Sequence, residues 1–311
     1  MDNNSNAQII TADVLLDMNT TNLPMLIKPI LPKVGVVAIA GSSDVGKSSF
    51  LRSMATAIVT GQTTFLGFEI LANHKSVIYV STEDDSNAIS YLLNKAKIDG
   101  INNDQYRGLR YIFDTEDILN IIETELNRQP ADCVCIDAFG DLYSGEMNQS
   151  NQVRSYLNKW VNLAKRHNCL LVFLHHTGKR TDSLVPSKDN LLGTQGFEAK
   201  MRLVIELRKD VENPKEHRHL CIVKGNYLPE EYKTHSFKLK FNEKLMYESL
   251  DCRVPFQELV PQNQQGKSSA NASYVRAKEL RTQGLSYGAI ATKLKEEGFD
   301  VSKSTIGYWL K

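Results

Sequence analysis

From Lys33 onward, short apolar runs alternate with stretches in which apolar residues recur at helical spacing. The runs 34–40, 76–82, 110–113, 132–137 and 169–174 are rich in Val, Ile and Leu without polar alternation, as in strands covered on both faces. Between them, 48–60, 86–99, 117–129 and 152–167 follow a helical period, and the first two run into Gly61 and Gly100, which suits a helix C-cap. Strand and crossover helix in alternation predict an α/β fold with a mostly parallel sheet. After Gly193 the texture changes. Residues 202–207, 219–223, 236–241 and 245–249 read as short strands joined by polar turns such as Glu212-Asn213-Pro214 and Asn242-Glu243, which predicts an antiparallel C-terminal extension of that sheet.

The stretch 257–271, with PQNQQGKSS at its centre, is nearly free of apolar residues and reads as a linker. It divides the chain into a domain over 1–256 and a small all-α domain over 272–311. In the latter, a helix to Thr282, a turn at Gly284, a helix from Ser286, a turn at Gly298 and a last helix after Ser302 give helix-turn-helix grammar. Ala277, Leu280, Leu285, Ile290, Ala291, Leu294, Val301, Ile306 and Leu310 form its expected core. That leaves Ser302, Lys303, Ser304 and Thr305 at the start of the last helix, where a reader of the DNA major groove places its contacts. A three-helix bundle for protein contacts is the alternative, and Tyr308 and Trp309 read as base-stacking groups or as anchors.

Composition narrows the picture in three ways. A net charge of +1 over 311 residues excludes a basic nucleic-acid coat, so any such contact comes from local patches. Residues 262–311 supply one, with more Lys and Arg than Asp and Glu. The five cysteines are odd in number, lack C-x-x-C spacing and mostly lie in apolar runs, which predicts reduced core thiols. The absence of a long apolar stretch and of a leader-like start predicts a cytoplasmic protein with no membrane partner.

The chemistry is concentrated in four short segments. GSSDVGKS, residues 41–48, matches the phosphate-loop pattern G-x-x-x-x-G-K-[ST] between a strand and a helix. It predicts an ATP cradle from Gly41, Ser42, Ser43, Asp44, Val45, Gly46, Lys47, Ser48 and Ser49, with Lys47 at the β/γ-phosphates and Ser48 on Mg²⁺. VCIDAF ends a strand in Asp137, a second candidate for the Mg²⁺ shell. YVSTEDD places Glu83 just past another strand, where a carboxylate activates water; Asp84 and Asp85 are rivals, and Asp85 or Ser86 also suits the N-cap of the next helix. FLHHTGK brings His175 and His176 to the same sheet edge as sensors of the γ-phosphate. Adjacent residues of a strand point to opposite faces and no further ligand lies at metal spacing, which argues against a metal-binding pair.

Together, these four segments resemble the RecA-type ATPases, and most closely the RepA-like hexameric plasmid replication helicases, over roughly residues 20–250. The resemblance implies that Glu83 is the water-activating glutamate, Asp137 the metal-site aspartate and His175 or His176 the sensor. It also implies a homo-oligomer, a hexameric ring, with active sites between subunits. Lys224, in IVKGNYLPEEYK, is then the finger supplied to the neighbour, although Asn226 stands where such helicases carry an arginine; Arg202 and Arg208 are the fallback choices. The loops 139–151 and 178–192 are long for an α/β connection and, by the same resemblance, grip single-stranded DNA through Lys179, Arg180 and Lys188. GLSYGAIATKL and VSKSTIGYWLK resemble the helix-turn-helix modules of resolvases and transposon proteins. The function so implied is a DNA-associated ATPase of a plasmid or mobile element that couples hydrolysis to unwinding, translocation or replication initiation. Its rivals are a nucleotide-switched DNA-binding regulator or loader and a nucleotide-sensing subunit of a larger system.

Overall fold

A computed structural model describes residues 9–178, 181–193 and 195–310, with 262–271 and 308 described as backbone. Its centre is a nine-stranded sheet in the order Tyr247–Pro255, His235–Phe241, His217–Gly225, Leu203–Lys209, Gly35–Gly41, Leu170–His176, Cys133–Asp137, Val77–Ser81, Leu109–Ile112. The last six of these run parallel, and the first three add antiparallel. This is the α/β architecture the apolar runs predict, antiparallel extension included.

Strands Gly35–Gly41, Cys133–Asp137 and Val77–Ser81 are buried along their whole length, because helices cover both faces. On one face the phosphate-loop helix Lys47–Val59 packs with Leu26, Phe50, Met54 and Tyr79. On the other, helices Ile118–Arg128 and Ser150–Arg166 close over Trp160, Phe139 and Phe173. Cys133, Cys135, Cys169 and Cys221 are buried free thiols in this core, whereas Cys252 is exposed.

Several elements differ from the sequence reading. The strand predicted over 169–174 continues to His176, so both histidines lie within it. The strand predicted over 245–249 is Tyr247–Pro255, an edge strand whose exposed polar half shows no apolar run. Helix Lys47–Val59 does end near Gly61, at φ +71°, with Gln62 N donating to Ala57 O at 3.0 Å. Helix Ser86–Lys95 stops well before Gly100, which belongs to the turn ahead of the short 3₁₀ segment Asn103–Tyr106. A four-stranded antiparallel sheet of Met25–Lys28, Leu31–Pro32, Thr64–Phe65 and Phe68–Ile70 has strands too short to leave a period in the sequence.

The residues read as a linker fall into two elements. Phe256–Leu259 is a 3₁₀ turn whose Phe256 and Leu259 are buried beside Cys221, and a helix runs over Gln262–Thr282. Gln, Ala and Lys carry good helix propensity, which a reading for apolar content passes over. Helices Gln262–Thr282, Tyr287–Glu296 and Lys303–Trp309 enclose a separate cluster of Ala277, Leu280, Ile290, Leu294 and Ile306. The other four expected core residues, Leu285, Ala291, Val301 and Leu310, pack against it, as does Trp309. No helix among the described residues is long and apolar enough to cross a membrane.

Candidate nucleotide-binding site

Parallel pairing brings the strand ends together. Gly41 lies opposite His176 on one side and Leu207 on the other, and Ser81 lies opposite Asp137. Open sheets of this kind place their ligands at such carboxyl ends. After Gly41 the chain turns through Asp44 at φ +59° and Gly46 at φ +97° and enters the helix at Lys47. Gly41 has no room for a side chain, since a Cβ would come within 2.7 Å of Leu207 O. Gly46 is the helix N-cap and brings no side-chain acceptor, so the first-turn N–H groups are available to an anion.

Lys47 is buried and its Nζ donates to Ser42 O at 2.9 Å. Burial lowers its pKa, while Asp137, Glu83, Asp44 and Asp182 act the other way. Ser48 Oγ donates to Asp137 Oδ1 at 3.2 Å, and Tyr79 OH donates to Asp137 Oδ2 at 2.7 Å. Burial holds the Asp137 carboxyl above its ordinary value, against the two hydroxyls and Arg52. A hydroxyl and a carboxylate converging beneath a lysine and an open helix terminus are the oxygen donors that Mg²⁺ and a triphosphate require. ATP and Mg²⁺ therefore fit the residues present. The peptide between Asp137 and Ala138 is cis, and Thr82 Oγ1 hydrogen-bonds to Asp137 O, Ala138 N and the Asp141 carboxylate around it.

The three rival acids after Ser81 separate by what they touch. Asp85 caps the next helix, accepting from Ala88 N at 2.8 Å. Asp84 lies 3.8 Å from Arg52 of the phosphate-loop helix. Glu83 is exposed and makes no hydrogen bond or ion pair among the described residues, although its charge bears on both Lys47 and His176. The two histidines separate likewise. His175 is buried, stacks on Phe197 at 4.3 Å and contacts Leu192 O through Nε2 at 2.7 Å. Burial pushes its pKa down to about 4, so it is neutral. His176 is half-buried among Lys47, Glu83, Asp141 and Asp137, and burial followed by Lys47 lowers its pKa. Of the pair, His176 shares the electrostatic field of the phosphate loop and its acids.

The remaining candidates lie elsewhere. Lys224 is tied to its own chain, with Nζ 2.7 Å from Glu198 Oε1 and 2.8 Å from Glu198 O. Lys188 lies 3.8 Å from the same carboxylate. Arg208 is corrected from its fallback role: it is 2% exposed, bonded to Glu206 Oε1 at 2.7 Å and to the Leu184 and Thr181 carbonyls, so it cannot reach a neighbouring subunit. The side chain of Arg202 runs past Gly35, at the opposite end of that strand from the loop. Lys179 and Arg180 lie outside the described residues. Ser302 caps the last helix, accepting from Thr305 N at 3.2 Å and bonding to the Ser304 and Thr305 hydroxyls, while Lys303 and Ser304 are exposed.

Sequence reasoning missed Tyr79, Arg52, Asp141 and Asp182 around the site. Tyr79 had a signal, a phenol in the otherwise aliphatic VIYV, because a buried Tyr hydroxyl needs a partner. The others come together only through the fold.

This arrangement of strand, loop, helix and flanking acids defines a P-loop nucleoside triphosphatase. Residues 6–182, more than half of the chain, match the AAA domain family, and the chain belongs to that family. Among solved structures it is similar to the ATPase domain of a helicase, at a TM-score of 0.58 and 14% identity, covering 77% of this chain and 96% of that one. No curated protein matches it.

Proposed function

We propose that the chain is a DNA-associated, Mg²⁺-dependent ATPase of helicase type, acting as a hexameric ring for a plasmid or mobile element. The observation that carries this reading is the convergence of Lys47, the Ser48–Asp137 pair and the uncommitted Glu83 at the ends of neighbouring strands. In it, the loop amides and Lys47 hold the phosphates, and Ser48 and Asp137 hold the ion that offsets their charge. Glu83 orients and deprotonates the attacking water, and His176 reads the γ-phosphate. Lys224 leaves Glu198 to serve the neighbouring copy, which makes turnover depend on assembly.

Residues 1–256 form the motor and 272–311 a helix-turn-helix unit joined through 257–271. Lys179, Arg180 and Lys188 follow single-stranded phosphates, and Ser302, Lys303, Ser304 and Thr305 meet duplex DNA. Support for the last contact is the exposure of Lys303 and Ser304 and the local basic excess of this unit. The test is ATP-dependent displacement of a strand from a forked duplex, with light scattering to follow assembly. Directional displacement by a particle of several subunits is the expected result. Nucleotide-dependent binding to a duplex site with slow turnover and no displacement would replace this reading with that of a regulator or loader.

A further inference from the structure

A peptide unit is planar and trans, so its C=O and its N–H point in opposite directions. A side chain that fixes the carbonyl of one residue therefore aims the N–H of the next. In the phosphate loop two successive carbonyls are held from behind. Val45 O accepts from Arg218 Nε at 2.8 Å and lies 3.3 Å from the Tyr247 hydroxyl. The same hydroxyl donates to Gly46 O at 3.0 Å. The N–H groups on the opposite sides of these two peptides are those of Gly46 and Lys47, the last residue of the loop and the first of its helix.

Both supports come from the antiparallel extension, which contributes nothing else to the loop's backbone hydrogen bonding, and both are held tightly. Arg218 is 5% exposed and Tyr247 is 6% exposed. Arg218 Nη1 donates to Pro214 O at 2.7 Å and to His217 O at 2.8 Å, and its guanidinium lies over the Phe241 ring at 5.2 Å. Phe241 packs on Tyr247 at 4.9 Å, and Tyr247 meets Phe50 of the phosphate-loop helix edge-on at 5.4 Å. The next contact in line joins Met246 Sδ to Ser53 Oγ of that helix at 3.3 Å. A Cβ on Gly46 would collide with the Tyr247 hydroxyl, so the close approach is available to glycine alone. Burial raises the pKa of the Tyr247 phenol, which keeps it a hydrogen-bond donor at any working pH.

We propose that Arg218 and Tyr247 are positioning residues that pre-set the phosphate cradle by anchoring the Val45 and Gly46 carbonyls, so that affinity for a phosphate chain depends on the antiparallel extension. The inference rests on the nucleotide-hydrolysing reading above and adds to it a long-range support for phosphate binding. Preorganised donors gain affinity because they are not reordered on binding. Substituting either residue should therefore act on binding rather than on the chemical step.

The experiment uses the full chain and measures Kd for ATP, for ADP and for inorganic tripolyphosphate, together with kcat and the thermal midpoint. Tyr247→Phe removes one hydroxyl and keeps the ring. It is expected to weaken all three ligands five- to tenfold, with kcat at saturating ATP within twofold of the wild type and the thermal midpoint unchanged. Arg218→Lys keeps the charge but loses the forked geometry, and the same pattern is expected from it; it carries the test if Tyr247→Phe does not fold. Tripolyphosphate affinity within twofold of the wild type in a folded variant overturns the proposal. A wild-type chain that binds none of the three ligands, with Lys47→Ala behaving identically, overturns both this proposal and the nucleotide site; a wild type that binds them no better than Tyr247→Phe does overturns only the positioning role.

Discussion

At the carboxyl ends of the parallel strands, charged groups stand close together and are loosely held. Lys47 rests on one backbone carbonyl, and Glu83 has no partner among the described residues. Around Leu203–Lys209 and its antiparallel neighbours, the same residue types are closed into complete networks. Arg208 and Glu206 bond to each other and to the segment 181–190, through Thr181, Leu184, Ser187 and Asn190. Asp210 takes His219 at 2.8 Å, Lys238 at 2.8 Å and two backbone N–H groups. A buried charge with every bond made serves as scaffold, whereas an unsatisfied charge beside a phosphate loop is left for substrate.

The largest effect that sharpens this contrast is on Glu83. Glu83→Gln is expected to lower ATP turnover by at least 10²-fold, the scale of a general base, while ATP affinity stays close to that of the wild type. Retained turnover would move the base to another group, Asp84 being the nearest rival. The scaffold side answers in stability. Arg208→Ala leaves the Glu206 carboxylate buried without its cation and is expected to cost about 3–5 kcal/mol in chemical denaturation. A loss below about 1 kcal/mol, the scale of an exposed pair, would show that the network is not closed in solution.

The histidine pair gives an intermediate effect with a defined sign. Unfolded His175 takes up a proton near pH 6.5, whereas burial delays this in the folded chain to about 4. The stability contributed by neutral His175 is complete above pH 6.5, falls by about 3 kcal/mol as the pH drops to about 4, and changes no further below that. Denaturation from pH 7.5 to 4 should show that part of the loss disappearing in His175→Gln. An unchanged pH profile would place His175 in a more solvated setting. The smallest effect belongs to the C-terminal helices. Ser302→Ala removes an N-cap and is expected to cost that unit about 1 kcal/mol, read by melting, whether or not Ser302 also touches DNA.

Much of the fold was legible because strands covered on both faces announce themselves as unbroken apolar runs, and the phosphate loop because its glycines and lysine sit at fixed spacing. The elements that escaped have no such mark. The polar half of Tyr247–Pro255 pairs only at an edge, and the strands of the four-stranded sheet are too short to carry a period. At the site, the sequence placed Asp137, Glu83 and the histidines at strand ends. It could not tell Glu83 from Asp84 or His175 from His176, because the difference lies in partners distant in sequence: Arg52 for Asp84, and Phe197 and Leu192 for His175. Arg218 and Tyr247 were invisible for the same reason, each reaching the loop from the far side of the chain.

The central claim is that the uncommitted charges at the strand ends form an ATP-hydrolysing site that answers to DNA. Steady-state ATP hydrolysis by the full chain, with and without single-stranded DNA and beside Lys47→Ala, tests it most directly. The account predicts Mg²⁺-dependent turnover that rises severalfold with single strands and vanishes in Lys47→Ala. A rate that single-stranded DNA leaves unchanged, or one that survives in Lys47→Ala, would contradict it.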